Sequence, residues 1–543
     1  MKRFAPLVLL LPAVAIAQIA PDAGRLLQEI HPAPALPAPK APAATVEETA
    51  PAPLPDGATV AVRGFRITGA TAFPEAALLP LVADAVGKEL SLADLDSLAA
   101  RITRHYRNAG YFVARAYLPA QEIADGNVEI AVLEGRIGKI EIDNQAGIAA
   151  SALAPAGALT PGDVIHAGAM EEKLLALAEL PGVEVKSTLR PGTAVGTSDF
   201  LVEVGPGRAF NGSVDVDSFG NRFTGAHRLG ASLFWNNPAG LGDQASLRLQ
   251  KSNGDFDYAR VGYQLPFGAA GTRVGAAWSE MRYGLGKDFA PLDATGEASI
   301  GSLYLQHPIL RSRTASLFGQ VQFDDKRLTD RIDVTTTKTD KQLHNWTLGL
   351  NGNFIDGLGG GGNSTLALDY TTGRLELDSA SDAIDAATAR SAGSFSKWNL
   401  SFQRLQRVMG DVSLLLSVSG QLAGNNLDSS EKFVLGGAYG VRAYPQGEAA
   451  GDEGHLISAE LRWQLAQAWQ AQAFYDDGRT KINRDPWVPG SNRRHLAGYG
   501  VGAAWASDGF SLRLFAAWKA GTGAPTSDID RSPRIWVQGA AYF

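Results

Sequence analysis

At 543 residues the chain exceeds one ordinary domain, so several domains or one very large barrel are expected. The absence of cysteine excludes disulfide frameworks, thiolate metal centres and cysteine nucleophiles. A formal net charge of −7 gives no general basis for binding nucleic acid, and no such partner is expected.

Residues 1–17 combine Met1-Lys2-Arg3, an apolar run from Leu7 to Ala17 and the small-x-small triplet Ala15-Ile16-Ala17. These are the charged, hydrophobic and cleavage regions of a secretory signal peptide. The run is too short to cross a bilayer as a helix, which needs roughly 20 apolar residues, and no later window supplies one. A membrane role therefore requires a closed β-barrel, the other structure that pairs every backbone donor and acceptor in lipid.

Residues 18–57 predict a short helix and a linker. Ala23, Leu26, Leu27 and Ile30 fall at helical spacing behind Asp22, which can cap the first turn. Residues 32–55 hold eight prolines among alanines, a composition that favours extended polyproline structure over a packed fold. At ~3.1 Å per residue the linker reaches on the order of 75 Å, more than the roughly 40–45 Å thickness of a membrane. The helix can thus lie in a barrel while the next domain stays outside it; a disordered leader is the alternative.

Residues 58–136 read as strand, helix, helix, strand, strand, starting with Val60 to Ile67. Ser91 and Asp94 form a capping box. Leu92, Leu95, Leu98, Ile102 and Tyr106 share a helix face that Gly110 ends. Residues 137–207 form a second, shorter α+β unit, with a helix over Met170–Leu180 and a strand over Ser198–Val204.

From residue 208 to 543 helical periodicity disappears, and short alternating segments separated by Gly, Asn, Asp and Pro clusters take over. Ile457, Ala459, Leu461 and Trp463 alternate with Ser458, Glu460 and Arg462, which opposes a lipid face to a wet face. About 16 strands are expected, the first near residue 209 and the last near 533. The fold class is mainly β: a 16-stranded antiparallel transmembrane barrel behind two α+β modules and a short helix.

Two motifs carry a family resemblance. Val441-Arg442-Ala443-Tyr444 lies in a glycine-rich stretch from Leu435 to Gly454, and Phe474-Tyr475-Asp476-Asp477-Gly478 follows on a later strand. The first resembles the Val-Arg-Gly-Tyr of the inward-folded loop of TpsB transporters of two-partner secretion, the ShlB/FhaC/HecB haemolysin secretion/activation family related to BamA-type barrels. Ala443 departs from its glycine. The second resembles that family's Phe-x-Asp-x-Gly strand motif. Further similarity lies in Tyr106 to Tyr111, Tyr117-Leu118-Pro119 and Leu133-Glu134-Gly135, which look like a polypeptide-transport-associated (POTRA) domain. The opening barrel strands share it, with Ser218 where the family often has asparagine, and the terminal aromatic strand ending at Phe543 resembles the signal read by the barrel assembly machinery.

The resemblance implies an outer-membrane translocator. Periplasmic POTRA modules, residues 58–136 and 137–207, would capture an unfolded TpsA-like exoprotein, and residues 18–57 would supply a removable plug. The barrel would sit among outer-membrane lipids, inserted by the assembly machinery. It also implies that Asp476 partners Arg442. A guanidinium in a water-poor lumen seeks a carboxylate that can meet it with two charge-assisted hydrogen bonds. The pair would latch an inward loop spanning about 422–453 to the wall, with Tyr444, Phe474 and Gly478 beside it. A barrel-insertion factor and a passive porin are the rival readings. No cofactor site is read, and a transporter rather than an enzyme is expected: the eight histidines are scattered, and no Gly-x-Ser-x-Gly elbow occurs. Asp324-Asp325 and Asp452-Glu453 read as solvated acidic turns rather than calcium sites.

Overall fold

The alternation that begins after residue 208 closes into a cylinder, because each strand finds a hydrogen-bonding neighbour on both sides only when the last pairs with the first. In the computed structural model sixteen antiparallel strands, from Phe210–Asp217 to Arg534–Tyr542, form one closed barrel in sequence order. Residues 20–30, 44–46, 59–123, 125–521 and 523–543 are described; the expected signal peptide lies outside them. No described helix is long and apolar enough to cross a membrane.

The two barrel faces follow the expected alternation. On the strand Glu453–Gln464, Ile457, Leu461 and Trp463 are exposed outward while Glu460 is buried inward. Aromatic residues mark both edges of the apolar band. Phe210 stacks on Trp235 near the end that carries the N-terminal modules, and Trp346, Trp398 and Tyr499 lie toward the far end. The seam is short: Ser213–Asp217 pairs with Gln538–Tyr542, whereas Ala315–Ile332 pairs along its whole length with the next strand. Ser218 extends the seam by one step, its hydroxyl accepting from the Val537 amide at 2.9 Å and its amide donating to the Val537 carbonyl at 3.0 Å.

One stretch of inner wall breaks the wet-face rule. Phe256, Met281, Leu328, Leu343, Leu375 and Phe395 all point inward and are buried, and they receive Ala23 and Leu26 of the helix Ala23–Gln28. Full burial of one such leucine contributes about 1.5–3 kcal/mol. The helix thus sits inside the barrel, capped by Asp22, whose carboxylate accepts from the Arg25 amide at 2.9 Å.

The first module differs from its expected outline at the start. Val60 to Ile67 is not one strand: Thr59–Ala61 pairs with Glu89–Ser91, and Gly64–Thr68 enters a separate sheet with Asn127–Leu133 and Arg115–Tyr117. Backbone bonding to the Gly126 turn bends the chain between them. The helix Leu92–Asn108 carries the expected capping box, buries Leu95, Leu98, Ile102 and Tyr106, and meets Gly110 in the left-handed region.

Glu134 is the polar hub of this module. It accepts from the Thr71 amide (2.6 Å), the Ala72 amide (2.6 Å), the Thr71 hydroxyl and Tyr106 (3.0 Å). Burial pushes its carboxyl up, but these hydrogen bonds outweigh burial and hold it below the usual carboxylate range. The stabilisation is therefore present above the unfolded value of about 4.5 and is lost as pH falls through the lower folded value. Glu134→Gln is expected to destabilise the module by about 2 kcal/mol and to flatten that acid-side loss, as read by hydrogen exchange at the Thr71 and Ala72 amides.

The second module has the helix Ala167–Ala178 and a sheet in which Thr197–Pro206 lies between Arg136–Asn144 and Val183–Pro191. Its outer edge corrects the linker expectation at three residues, the rest of the linker, 31–43 and 47–58, lying outside the described residues. Ala44–Val46 is not free polyproline chain but a strand, pairing in parallel with Ser187–Leu189. An open sheet edge offers unpaired backbone groups that outweigh the weak preference of an alanine-rich segment. The module is clamped to the barrel turns by Glu179, which meets Arg311 at 3.1 Å and Arg273 at 3.5 Å.

Candidate functional site: an inward loop pinned to the barrel wall

Residues 424–452, between Val412–Ala423 and Glu453–Gln464, fold back from the far end into the lumen, a slightly shorter span than expected. Arg442 lies at its tip and meets Asp476 through three hydrogen bonds: backbone amide to Oδ2 at 3.1 Å, Nε to Oδ2 at 2.9 Å and Nη2 to Oδ1 at 2.8 Å. Asp476 is wholly buried.

The site is larger than the two motifs suggest. Nη1 of Arg442 donates to Glu460 at 2.6 Å, Nη2 donates to Ser458 at 3.2 Å, and the Trp536 indole donates to the Arg442 carbonyl at 2.7 Å. Ser458 faces Asp476 and Glu460 faces Phe474 in the register of adjacent strands, which presents both carboxylates to one guanidinium. Alternation places Ser458 and Glu460 on the inner face, but nothing in the sequence sets them opposite residue 442.

Of the other expected site residues, Phe474 lies against the pair, its ring centroid 3.4 Å from the guanidinium carbon. A cation over an aromatic face is held by the ring quadrupole, more strongly where water is excluded. Tyr444 is buried in an apolar cluster with Leu435, Val441 and Leu496. Gly478 admits the loop: a Cβ there would sit 2.3 Å from Leu435 Cδ1 and 2.8 Å from the His455 carbonyl. Gly478→Ala is therefore expected to displace the loop, read as increased protease cleavage within residues 424–452 of the inserted barrel. Adding Leu435→Ala, which relieves the closer contact but not the one with the His455 carbonyl, should restore the protection in part.

Buried acids anchor the rest of the loop. Glu431 meets Lys326 at 2.7 Å and Lys397 at 2.8 Å on the wall. Glu448, with no exposed surface, accepts from the Thr526 and Ser527 amides at 2.8 Å and from Arg494 at 2.5 Å. Asp452 accepts from Lys432 at 2.5 Å and from the Arg484 amide at 2.8 Å. It is not a solvated turn, and neither is Asp324, which is buried and accepts from Ser302 on the inner wall at 2.6 Å. Alternation alone sends Asp324 inward. The described residues contain no cluster of metal-ligating side chains.

The helix in the lumen is tied to the same loop. Lys341 of the wall lies 3.2 Å from Asp22 and 2.9 Å from Asp428, and Ser429 donates to Asp22 at 2.7 Å. A Cβ on Gly24 would come within 2.3 Å of Ser429 Oγ, so helix and loop are in direct contact. At the other end of the helix Asn221 donates to Glu29 at 3.0 Å.

Comparison with known proteins agrees with this architecture. Residues 196–505 match the family model of the haemolysin secretion/activation protein ShlB/FhaC/HecB, and residues 60–135 match the ShlB-type POTRA domain. The heme/hemopexin transporter protein HuxB of Haemophilus influenzae (strain 86-028NP) is 32% identical over 74% of this chain and 72% of its own. Among solved structures, CdiB from Escherichia coli superposes with a TM-score of 0.71 at 24% identity over 90% of this chain and 91% of its own. BamA from Haemophilus ducreyi lacking POTRA domains 1–3 gives 0.54 at 15% identity, covering 89% of this chain and 100% of its own. With a closed barrel, an N-terminal POTRA domain and a family match over more than half its length, the chain belongs to the ShlB/FhaC/HecB family and is an outer-membrane transporter with periplasmic POTRA modules.

Proposed function

We propose that this transporter secretes an unfolded partner exoprotein, captured in the periplasm by the POTRA modules and released through the barrel when the inward loop leaves its latched position. One observation carries the capture step: the edge of the second module already takes an extended segment, Ala44–Val46 on Ser187–Leu189, by backbone pairing. Such an edge selects extended chain through main-chain hydrogen bonds and tolerates varied side chains. Arg442 and Asp476 then act as the latch, and the helix Ala23–Gln28 as a removable plug. No bond is made or broken; the work comes from cargo binding and from folding outside the cell.

Deleting residues 59–206 discriminates between the readings. A secretion pore is expected to leave its exoprotein in the periplasm while the barrel stays inserted and conducting. Undiminished release to the medium would eliminate capture by the modules. The shared BamA fold favours an assembly factor as the second reading; for that role the same deletion should instead lower the level of other outer-membrane barrels.

A further inference from the structure

His455, Arg479 and His495 form a row across three adjacent strands, Glu453–Gln464, Trp469–Lys481 and Arg493–Ser507, each residue opposite the next in register. All three are exposed and share the outward parity of Ile457, Tyr475 and Tyr499, so the row lies on the outer face of the barrel. Residues opposite one another on one face hold their Cβ atoms about 4.5–5.5 Å apart, which sets the guanidinium between two imidazoles. Arg493, also exposed, is one outward step higher on the third strand.

Height distinguishes this row. Arg479 lies ten residues along its strand from Trp469, which is exposed at the end nearest the POTRA modules. At ~3.3 Å per residue and a tilt of roughly 35–45° the climb is about 25 Å, the full height of the apolar band of an outer-membrane barrel. The stacked rings of Tyr499 and Trp518 lie just below the row, as an aromatic girdle does. Arg479 therefore stands at head-group level in the leaflet away from the periplasm.

Charge distinguishes it too. Elsewhere near this end, outward cations meet a carboxylate on the same face: Lys251 and Asp257 at 2.7 Å, Arg327 and Asp325 at 3.2 Å, Arg374 and Glu376 at 3.2 Å. Here the nearby carboxylates are engaged by others, Asp477 by His495 at 2.7 Å and Glu453 by Lys481 at 3.5 Å. Arg479 and Arg493 have no ion pair among the described residues. A guanidinium meets a phosphate through two parallel hydrogen bonds, and flanking imidazoles add donors. Beneath, Ile457, Leu461 and Val501 give acyl chains an apolar wall. Two unpaired arginines at this height fit an acylated lipid with more than one phosphate.

We propose that Arg479 and Arg493, flanked by His455 and His495, bind a phosphorylated, acylated glycolipid of the outer leaflet. The same strands carry Glu460 and Asp476 on their inner face, so the lipid would grip the stretch of wall that holds Arg442. The site does not depend on the secretion reading.

The test uses the full-length chain, purified in dodecylmaltoside, stripped of lipid and confirmed folded by heat-modifiability, with native mass spectrometry reading the fraction that retains added lipid. The probe is bisphosphorylated lipid A; its dephosphorylated form and dioleoylphosphatidylglycerol are the comparison arms. Lipid A is expected to be retained about five-fold more than either, and about five-fold less by the chain carrying Arg479→Gln and Arg493→Gln. Lys251→Gln with Arg282→Gln, which removes paired cations from the same face, should leave retention unchanged. Arg479→Gln alone should lower it in the same direction if the double variant does not fold. Retention indifferent to the loss of the arginines, equal for the dephosphorylated lipid, or lowered as much by the Lys251 and Arg282 changes overturns the site. Equal retention of phosphatidylglycerol overturns the glycolipid as its occupant.

Discussion

Arg442→Ala is expected to lower secretion at least ten-fold while the barrel remains inserted and heat-modifiable, read as exoprotein retained in the periplasm against exoprotein in the medium. The guanidinium satisfies Asp476, Glu460 and Ser458 at once and stacks on Phe474. Its removal leaves two carboxylates in a lumen where Asp476 has no exposed surface. Breaking a buried ion pair from one side costs about 3–5 kcal/mol, because the stranded charge keeps its desolvation penalty. The loop then loses its defined position on the wall, and the opening proposed for it loses its starting point.

The two partners are not equivalent. In Asp476→Ala the arginine keeps Glu460 at 2.6 Å, so the secretion defect should be smaller than that of Arg442→Ala. The double variant should be less defective than the sum of the singles, because both act through one network. Arg442→Lys should resemble the alanine variant: an ammonium cannot reach two carboxylates through a planar set of donors. Normal export by both Arg442→Ala and Asp476→Ala would eliminate the latch.

Lys341→Met is the second large effect. A single ammonium lies between Asp22 of the helix and Asp428 of the loop, at 3.2 and 2.9 Å. Removing it takes away the cation that both carboxylates share and weakens the tie between helix and loop, of which the Ser429 bond to Asp22 at 2.7 Å remains. The helix is also held by Ala23 and Leu26 in their apolar seat, by the Ala23 amide on Asp330 at 2.8 Å, by Asn221 at 3.0 Å and Arg228 at 3.1 Å on Glu29, and by Gln28 on the Ser430 carbonyl, so the loss of Lys341 shifts the helix without freeing it. A change of about 1.4 kcal/mol shifts such an equilibrium ten-fold. Single-channel recording in planar bilayers should therefore show an open probability raised about ten-fold, with the open-state conductance unchanged. An unchanged open probability would mean that the plug is held elsewhere.

Much of the fold is legible one residue at a time. Period-two alternation after residue 208 is imposed by lipid on one side and water on the other, and it locates all sixteen strands. The capping box at Ser91 and the left-handed Gly110 bound their helix because caps are local chemistry. The resemblance of two motifs singled out Arg442 and Asp476, and the cost of an unpaired charge inside a barrel is the physical reason that they meet.

What the linear order left open depends on which strands lie opposite one another. Glu460 joins Arg442 only because its strand pairs with the one bearing Asp476. Leu328, Leu343 and Phe395 make the inner face apolar, against the wet-face rule, where a helix more than 290 residues upstream fills that part of the lumen. The acids 431, 448 and 452 are equally silent: a carboxylate in a loop reads as solvated until the fold brings Lys326, Arg494 or Lys432 to it. Local pattern determined the strands, caps and modules, since those depend on neighbours within a few residues. The Arg442 network, the seat of the lumenal helix and the strand added to the second module were decided by the closed barrel and the open sheet edge, because burial and pairing between distant segments exist only once the chain has folded.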